Sequence, residues 1–298
     1  MKKLKINYEV VGFSEIDKTA IKCYTQNHSN LLNYGDITKI NPHSLPDFDI
    51  FTGGFPCQSF SINGKSKGEL DTRGTLFNDI VRIVEIKQPK YLLLENVKGL
   101  TTQKHKHTFD KIISELERVG YVVYWKVLNS KDFGIPQNRE RVYIVCILNG
   151  FKTYKFPEKR PLRLCVRDIL EKDRINPEIK NKSIEEVLLS PVSNERSIKS
   201  NILFELFGKI PSGLSQQKDR IFDIDKWCST LITTQQEILF YDIKHPNLIS
   251  LTPRECFRLM GFLNDEINID GFTNSQSHKL VGNGWDINIV SLILENLL

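Results

Sequence analysis

Cys57 stands in the string Gly53-Gly54-Phe55-Pro56-Cys57-Gln58-Ser59-Phe60-Ser61. It follows a β-rich run, Phe48–Thr52, so a thiol is carried at the carboxyl end of a strand, where ligands bind in open α/β sheets. The two glycines let the backbone turn tightly and approach a substrate, and Pro56 biases Phe55 toward an extended conformation. Such a thiol attacks electrophiles once ionised, which calls for an electropositive loop, whereas a lone cysteine without context is more often a small buried hydrophobe. Glu95, in Glu95-Asn96-Val97 after the run Tyr91–Leu94, offers a carboxyl for proton transfer or stands as a solvated loop carboxylate. Arg139 and Arg141, in Gln137-Asn138-Arg139-Glu140-Arg141, offer positive charge beside a thiolate or simply decorate a hairpin edge. His105 and His107 form a His-x-His between lysines, and with no Cys or carboxylate cluster beside them they read as a solvated basic loop, not a metal site.

These residues must be held by a sheet. The first half of the chain alternates β-rich runs (Tyr8–Glu15, Phe48–Thr52, Tyr91–Leu94, Val122–Leu128, Val142–Leu148) with helical apolar spacing over Lys18–Gln26, Leu76–Lys87 and Thr108–Val119. That alternation predicts an α/β fold with a doubly wound, mostly parallel sheet, its last two strands antiparallel because Asn129–Arg141 has no helical period. From about Phe151 to Ile249 the alternation is lost among prolines, mixed charge and short apolar runs. Thr252-Pro253-Arg254-Glu255 then reads as a helix start, and Ile287–Leu298 as a packed helix. The expected organisation is a first domain over 1–150, a smaller irregular one over 151–250, and a segment over 251–298 that returns to the first.

Bulk properties restrict the class. The chain has 298 residues, 40% hydrophobic and 26% charged, ordinary for a globular protein. No apolar run approaches the ~20 residues that span a bilayer, and no signal peptide is evident, so a cytoplasmic location is expected. The six cysteines include no Cys-x-x-Cys pair, which argues against zinc and against a disulfide framework. A formal net charge of +5 permits an anionic partner without demanding one.

Residues 53–61 resemble the nucleophile loop of the DNA (cytosine-5)-methyltransferases of restriction-modification type. Arg73-Gly74-Thr75-Leu76-Phe77, Glu95-Asn96-Val97, Gln137–Arg141, Leu251–Cys256 and Gly282-Asn283 resemble further motifs of that family, in the family's order. The resemblance implies a two-part fold of the S-adenosylmethionine-dependent methyltransferase type. It implies methyl transfer from S-adenosyl-L-methionine to C5 of a cytosine flipped out of double-stranded DNA, with no metal. Cytosine C5 is a poor nucleophile, so a Cys57 thiolate would add to C6 and create an enamine. Glu95 would then supply a proton or hydrogen bond to N3, Arg141 would reach O2, and Arg139 would support the catalytic loop. Glu15 matches the acidic residue for the ribose hydroxyls and Asp36 the one for the adenine amino group. Ile37, Pro56, Leu76 and Asn283 complete the implied cofactor site.

By the same resemblance, the basic segment Ser59–Gly74 closes over the extruded base and touches phosphates. Residues 151–249 hold a target-recognition domain containing Thr230-Leu231, in which Arg163, Arg167, Arg196 and Arg220 could each address guanine edges or equally serve as surface charge. The family's opening strand and Phe-x-Gly-x-Gly loop have no counterpart here, since Lys2–Gly12 already reads as the approach to Glu15. A downstream start codon, a second polypeptide supplying that strand, and a non-catalytic DNA-binding remnant each account for this. Weak binding of S-adenosylmethionine by the chain alone is the expectation.

Overall fold

In a computed structural model the described residues are 4–28, 31–56, 75–175, 202–205, 220–233, 238–245 and 247–298, with the backbone alone for Thr75, Ile202–Glu205 and Arg220. Cys57, the segment Ser59–Gly74 and Arg196 lie outside them. The chain divides into two compact units. The first comprises Met1–Leu128, Glu140–Pro157 and Ser291–Leu298, and the second Asn129–Arg139 and Glu158–Val290. The chain thus leaves and re-enters the first unit twice, and residues 251–290 group with the second.

The elements of the first half are helix α1 (Lys18–Asn27), strand β1 (Ile50–Gly54), helix α2 (Thr75–Lys87), β2 (Tyr91–Val97), α3 (Lys106–Arg118), β3 (Tyr121–Asn129), the two-residue β4 (Gln137–Asn138, in the second unit) and β5 (Glu140–Leu148). The first unit's sheet runs β1-β2-β5-β3. β1 and β2 are parallel, β2 and β5 antiparallel. β2 is buried from Leu92 to Asn96, as a strand covered on both faces must be, and this is why it reads as a continuous apolar run. Against the sheet pack Ile80 and Val84 of α2 and Ile112 and Leu116 of α3, in one core with Leu92, Leu94, Ile144 and Cys146. Helical periodicity located these helices to within two residues at each end.

Two local expectations fail. Tyr8–Glu15 is not a strand: among the described residues it makes a single bridge, Phe13 to Asn33, with Phe13 donating its N–H to Leu32 and Tyr34 donating to Phe13. Gly12, at φ 153°, breaks the extended run, and a Cβ there would lie 2.5 Å from the Tyr34 ring. Conversely, Gly53 and Gly54 are not a turn but the end of β1, in register with Leu94 and Glu95. A Cβ at Gly53 would sit 3.1 Å from the Phe51 ring.

The second unit is more regular than its sequence suggests. Strands β6 (Ile202–Glu205), β7 (Arg220–Asp223), β9 (Leu239–Asp242) and β10 (Asn247–Ser250) form a sheet in the order β10-β9-β7-β6, while β8 (Cys228–Ser229) pairs with β4. Phe222, Phe240, Leu251, Phe257 and Val281 share its core. Helix α4 (Pro253–Arg258) begins at Thr252 through a capping box with Glu255, as Thr-Pro-Arg-Glu predicts, and α5 (Asn274–Asn283) and α6 (Ile287–Leu297) follow. No helix among the described residues is long and apolar enough to cross a membrane.

Arg167, one of the arginines considered for base reading, is committed elsewhere. Its Nε donates to Asp225 (2.6 Å) and its two Nη atoms grip Asp242 bidentately (2.6 and 2.7 Å), with Lys244 on Asp225 and His245 on Asp242. The bonded guanidinium holds both carboxyls below the usual carboxylate range. A carboxyl whose folded value is depressed stabilises fully above its unfolded value, near 3.9, and loses that contribution as pH falls through the folded value. Arg167→Met is therefore expected to cost about 2 kcal/mol in urea denaturation at pH 7, with the gap to the parent closing on acidification. A gap constant down to pH 3 would rule out the ionic origin.

Candidate active site

The site is assembled at the carboxyl ends of β1 and β2 in the first unit. Gly54 lies opposite Glu95, and Val97 opposite Arg141 of β5, so the register sets Glu95 and Arg141 two positions apart on neighbouring strands. Arg141 Nε is 3.0 Å from Glu95 Oε1, and both side chains are nearly buried, at 13% and 11% exposure. A buried pair of this kind is costly to break from one side, because the remaining charge is stranded. Arg141 Nη1 also donates to the Glu140 carbonyl (2.8 Å), and Lys98 Nζ bridges both Glu140 carboxylate oxygens at 2.9 Å.

The approach to Cys57 is fixed from two sides. Buried Asn96 donates from Nδ2 to the Phe55 carbonyl (2.7 Å) and accepts the Val97 N–H. The Phe55 ring packs on Phe77 with centroids 5.3 Å apart. Two residues before the thiol, backbone and side chain are thus both anchored, while Pro56 is exposed.

Glu15 and Asp36 come from neighbouring segments, and Asn33 joins them. Asn33 Oδ1 accepts from Glu15 N (3.2 Å) and Gly35 N (3.0 Å), Asn33 Nδ2 donates to the Glu15 carbonyl (3.0 Å), and Ser14 Oγ donates to the Gly35 carbonyl. Glu15 Oε1 accepts the N–H groups of Ile16 and Asp17 at the entry to α1. Asp36 Oδ1 accepts the N–H and hydroxyl of Thr38, bonds that hold its carboxyl below the usual range. Two part-exposed carboxylates on one bridged pair of segments are acceptors of the kind a ribose diol and an exocyclic amine require. These acceptors are compatible with the nucleoside of S-adenosylmethionine. Ile37 follows Asp36 directly, and Leu76 lies in the first turn of α2. Asn33 carries no motif signal that would have singled it out.

Arg139 and Asn283 belong to the second unit. Arg139 is 2% exposed and donates to three backbone carbonyls: Leu231 (3.1 Å), Gly282 (3.1 Å) and Gly284 (2.7 Å). Asn283, between the last two, is exposed. Gly282 is required by close approach, since a Cβ there would lie 2.5 Å from Thr233 N. Gln137 bonds the Leu259 carbonyl (2.6 Å) and the Leu231 N–H (3.1 Å), and Thr230 Oγ1 donates to the Asn138 carbonyl (2.7 Å). The Thr230-Leu231 pair is therefore sewn to β4 by Gln137, Asn138 and Arg139. Arg139→Met, which leaves three carbonyls without their donor, is expected to destabilise the protein by about 4 kcal/mol, read as a lowered urea midpoint.

Among the described residues no group of three or more His, Cys, Asp or Glu side chains could hold a metal ion. Across residues 2–298 the sequence matches the family described as C-5 cytosine-specific DNA methylase. Type II methyltransferase M.HhaI of Haemophilus parahaemolyticus is 34% identical over 296 residues, covering 97% of this chain and 87% of that protein. Type II methyltransferase M.NgoBI of Neisseria gonorrhoeae is 38% identical over 285 residues, covering 93% and 82%. Among solved structures, the S. pombe Dnmt2 methyltransferase superposes with a TM-score of 0.70 at 22% identity, covering 100% of this chain and 93% of that one, a likeness of fold.

Proposed function

Because this chain belongs to the C-5 cytosine-specific DNA methylase family, we propose that it methylates C5 of a cytosine flipped from double-stranded DNA through a covalent bond to Cys57. The enzyme class and the cofactor, S-adenosyl-L-methionine, come with the family; the covalent route and the residue roles are our reading. One observation carries it: the Glu95–Arg141 pair lies across from Gly54, three residues before Cys57.

In this reading the Cys57 thiolate adds to C6 of the extruded base. Glu95 gives a proton to N3, or shares one with it, so the electron pair displaced from the C5–C6 bond is accommodated and C5 becomes nucleophilic. Arg141, held toward the same point by Glu95 and the Glu140 carbonyl, donates to O2. S-adenosylmethionine, when bound, supplies the methyl group as an electrophile. After methylation the C5 proton passes to water, its electron pair re-forms the C5–C6 double bond as Cys57 departs as the thiolate, and N3 returns its proton to Glu95, which restores the aromatic ring. Asn96 and Phe77 keep the Phe55 end of the nucleophile loop in place, which supports the alignment that such an addition needs. The second unit would read the target sequence.

The test is transfer of labelled methyl from S-adenosylmethionine to duplex DNA of mixed sequence, followed by nucleoside digestion. Label in 5-methylcytosine is the expected result. Label only at an exocyclic nitrogen, or in an RNA substrate offered in parallel but not in the DNA, would overturn the proposal.

A further inference from the structure

The turn that carries Asp36 and Ile37 is gripped at its far end by a residue no motif identified. Residues Ile37–Lys39 form one turn of 3-10 helix, begun by Asp36, whose side chain accepts from Thr38. The turn closes with the Ile40 N–H on the Ile37 carbonyl (3.3 Å). Arg82 of α2 adds a side-chain clamp to it: Nη2 is a second donor to the Ile37 carbonyl (2.9 Å) and Nη1 donates to the Ile40 carbonyl (2.5 Å). The guanidinium is itself oriented by Asp79 one turn earlier, which accepts from Nε (3.2 Å) and Nη2 (3.0 Å). The apolar side of the turn is held by Ile40, Leu45 and Ile83 with Ile37 and Phe51 packed against them.

From this geometry we infer that Arg82 is a positioning residue for S-adenosylmethionine: it sets the Asp36-Ile37 turn against α2 without touching the cofactor. The inference rests on the reading that Asp36 and Ile37 contact the adenosyl group. A planar fork that reaches two carbonyls and a carboxylate at once has no equivalent in lysine, whose ammonium is a single point of donation. Arginine at this position therefore carries geometry as well as charge. α2 also begins with Thr75 and Leu76, the latter assigned to the same cofactor, so Arg82 ties two parts of one proposed pocket to a common helix.

Two measurements separate the inference from the reading beneath it. In the unsubstituted protein, S-adenosylmethionine should slow amide hydrogen exchange over residues 36–40; absence of that protection overturns the reading and the inference with it. Given protection, Arg82→Lys should raise KM for S-adenosylmethionine about tenfold, leave kcat within twofold, and speed exchange at residues 38–40 in the unliganded protein. An unchanged KM for S-adenosylmethionine in Arg82→Lys overturns the inference and leaves the reading standing. So does a fall in kcat at unchanged KM. Should Arg82→Lys fail to fold, Asp79→Ala, which removes the acceptor that orients the guanidinium and leaves Arg82 itself in place, is expected to raise KM about threefold, and an unchanged KM there overturns the inference equally.

Discussion

Replacing Cys57 by alanine is expected to lower methyl transfer to DNA by 10⁴-fold or more, on the order seen when a covalent catalyst loses its nucleophile. Without a thiolate nothing adds to C6, and C5 stays too electron-poor to attack the methyl donor. Binding of duplex DNA should be retained, since phosphate contacts and the second unit do not depend on the thiol. A duplex carrying 5-fluorocytosine at the target gives a sharper readout. Fluorine at C5 cannot leave as a proton does, so addition followed by methylation stops at the adduct and the protein stays attached to the DNA through denaturing electrophoresis. The attached species should form with the unsubstituted chain and S-adenosylmethionine, and be absent for Cys57→Ala. Its persistence in Cys57→Ala would show that another residue is the nucleophile.

Glu95→Gln should cost on the order of 10²- to 10⁴-fold in kcat, the range associated with losing a positioned proton donor. Glutamine keeps the length and the hydrogen-bonding shape of the side chain, yet has no proton to give to N3. Arg141 would lose a charge partner but keep its bond to the Glu140 carbonyl. The comparison with Glu95→Ala is informative, because alanine also strands Arg141 in a nearly buried position. Breaking such a pair from one side typically costs about 3–5 kcal/mol. Glu95→Ala should therefore show both lost turnover and a lowered urea midpoint, and Glu95→Gln chiefly the former. A Glu95→Gln enzyme within threefold of the parent in single-turnover methyl transfer would remove Glu95 from the chemistry.

The reach of the sequence differed sharply between the two kinds of residue in this site. Glu95 and Arg141 were legible because each sits in a short string of distinctive side chains, and because β2 and α2 announce themselves by apolar run and helical period. Asn33 and Arg82 act on backbone carbonyls and amides, groups every residue carries, so no residue type at the other end marks the contact; Arg139 stood out by its motif, but the carbonyls it bonds did not. Arg167 illustrates the same limit for charged pairs, since its carboxylate partners lie 58 and 75 positions away and a surface role reads identically in one dimension. The sheet of the second unit escaped notice because β7, β9 and β10 are each four residues long, too short for alternation to stand out from chance. Tyr8–Glu15 erred in the opposite direction: its composition suits a strand, but Gly12 and the absence of a neighbouring strand among the described residues leave it a single bridge.

The interleaving of the two units has a consequence for biosynthesis. Ser291–Leu298 belong with the earlier segments of the first unit, and within Glu140–Pro157 Lys152 Nζ bonds the Leu297 carbonyl while Asn296 bonds that of Lys155. A ribosome must therefore finish the whole of Glu158–Val290 before the first unit receives its last piece, a wait of roughly 7 to 27 seconds at 5–20 residues per second. During that interval the nascent sheet is within reach of chaperones and proteases. A stop codon shortly before Ser291 would spare every residue proposed for chemistry and still deprive their scaffold of its closing helix turn.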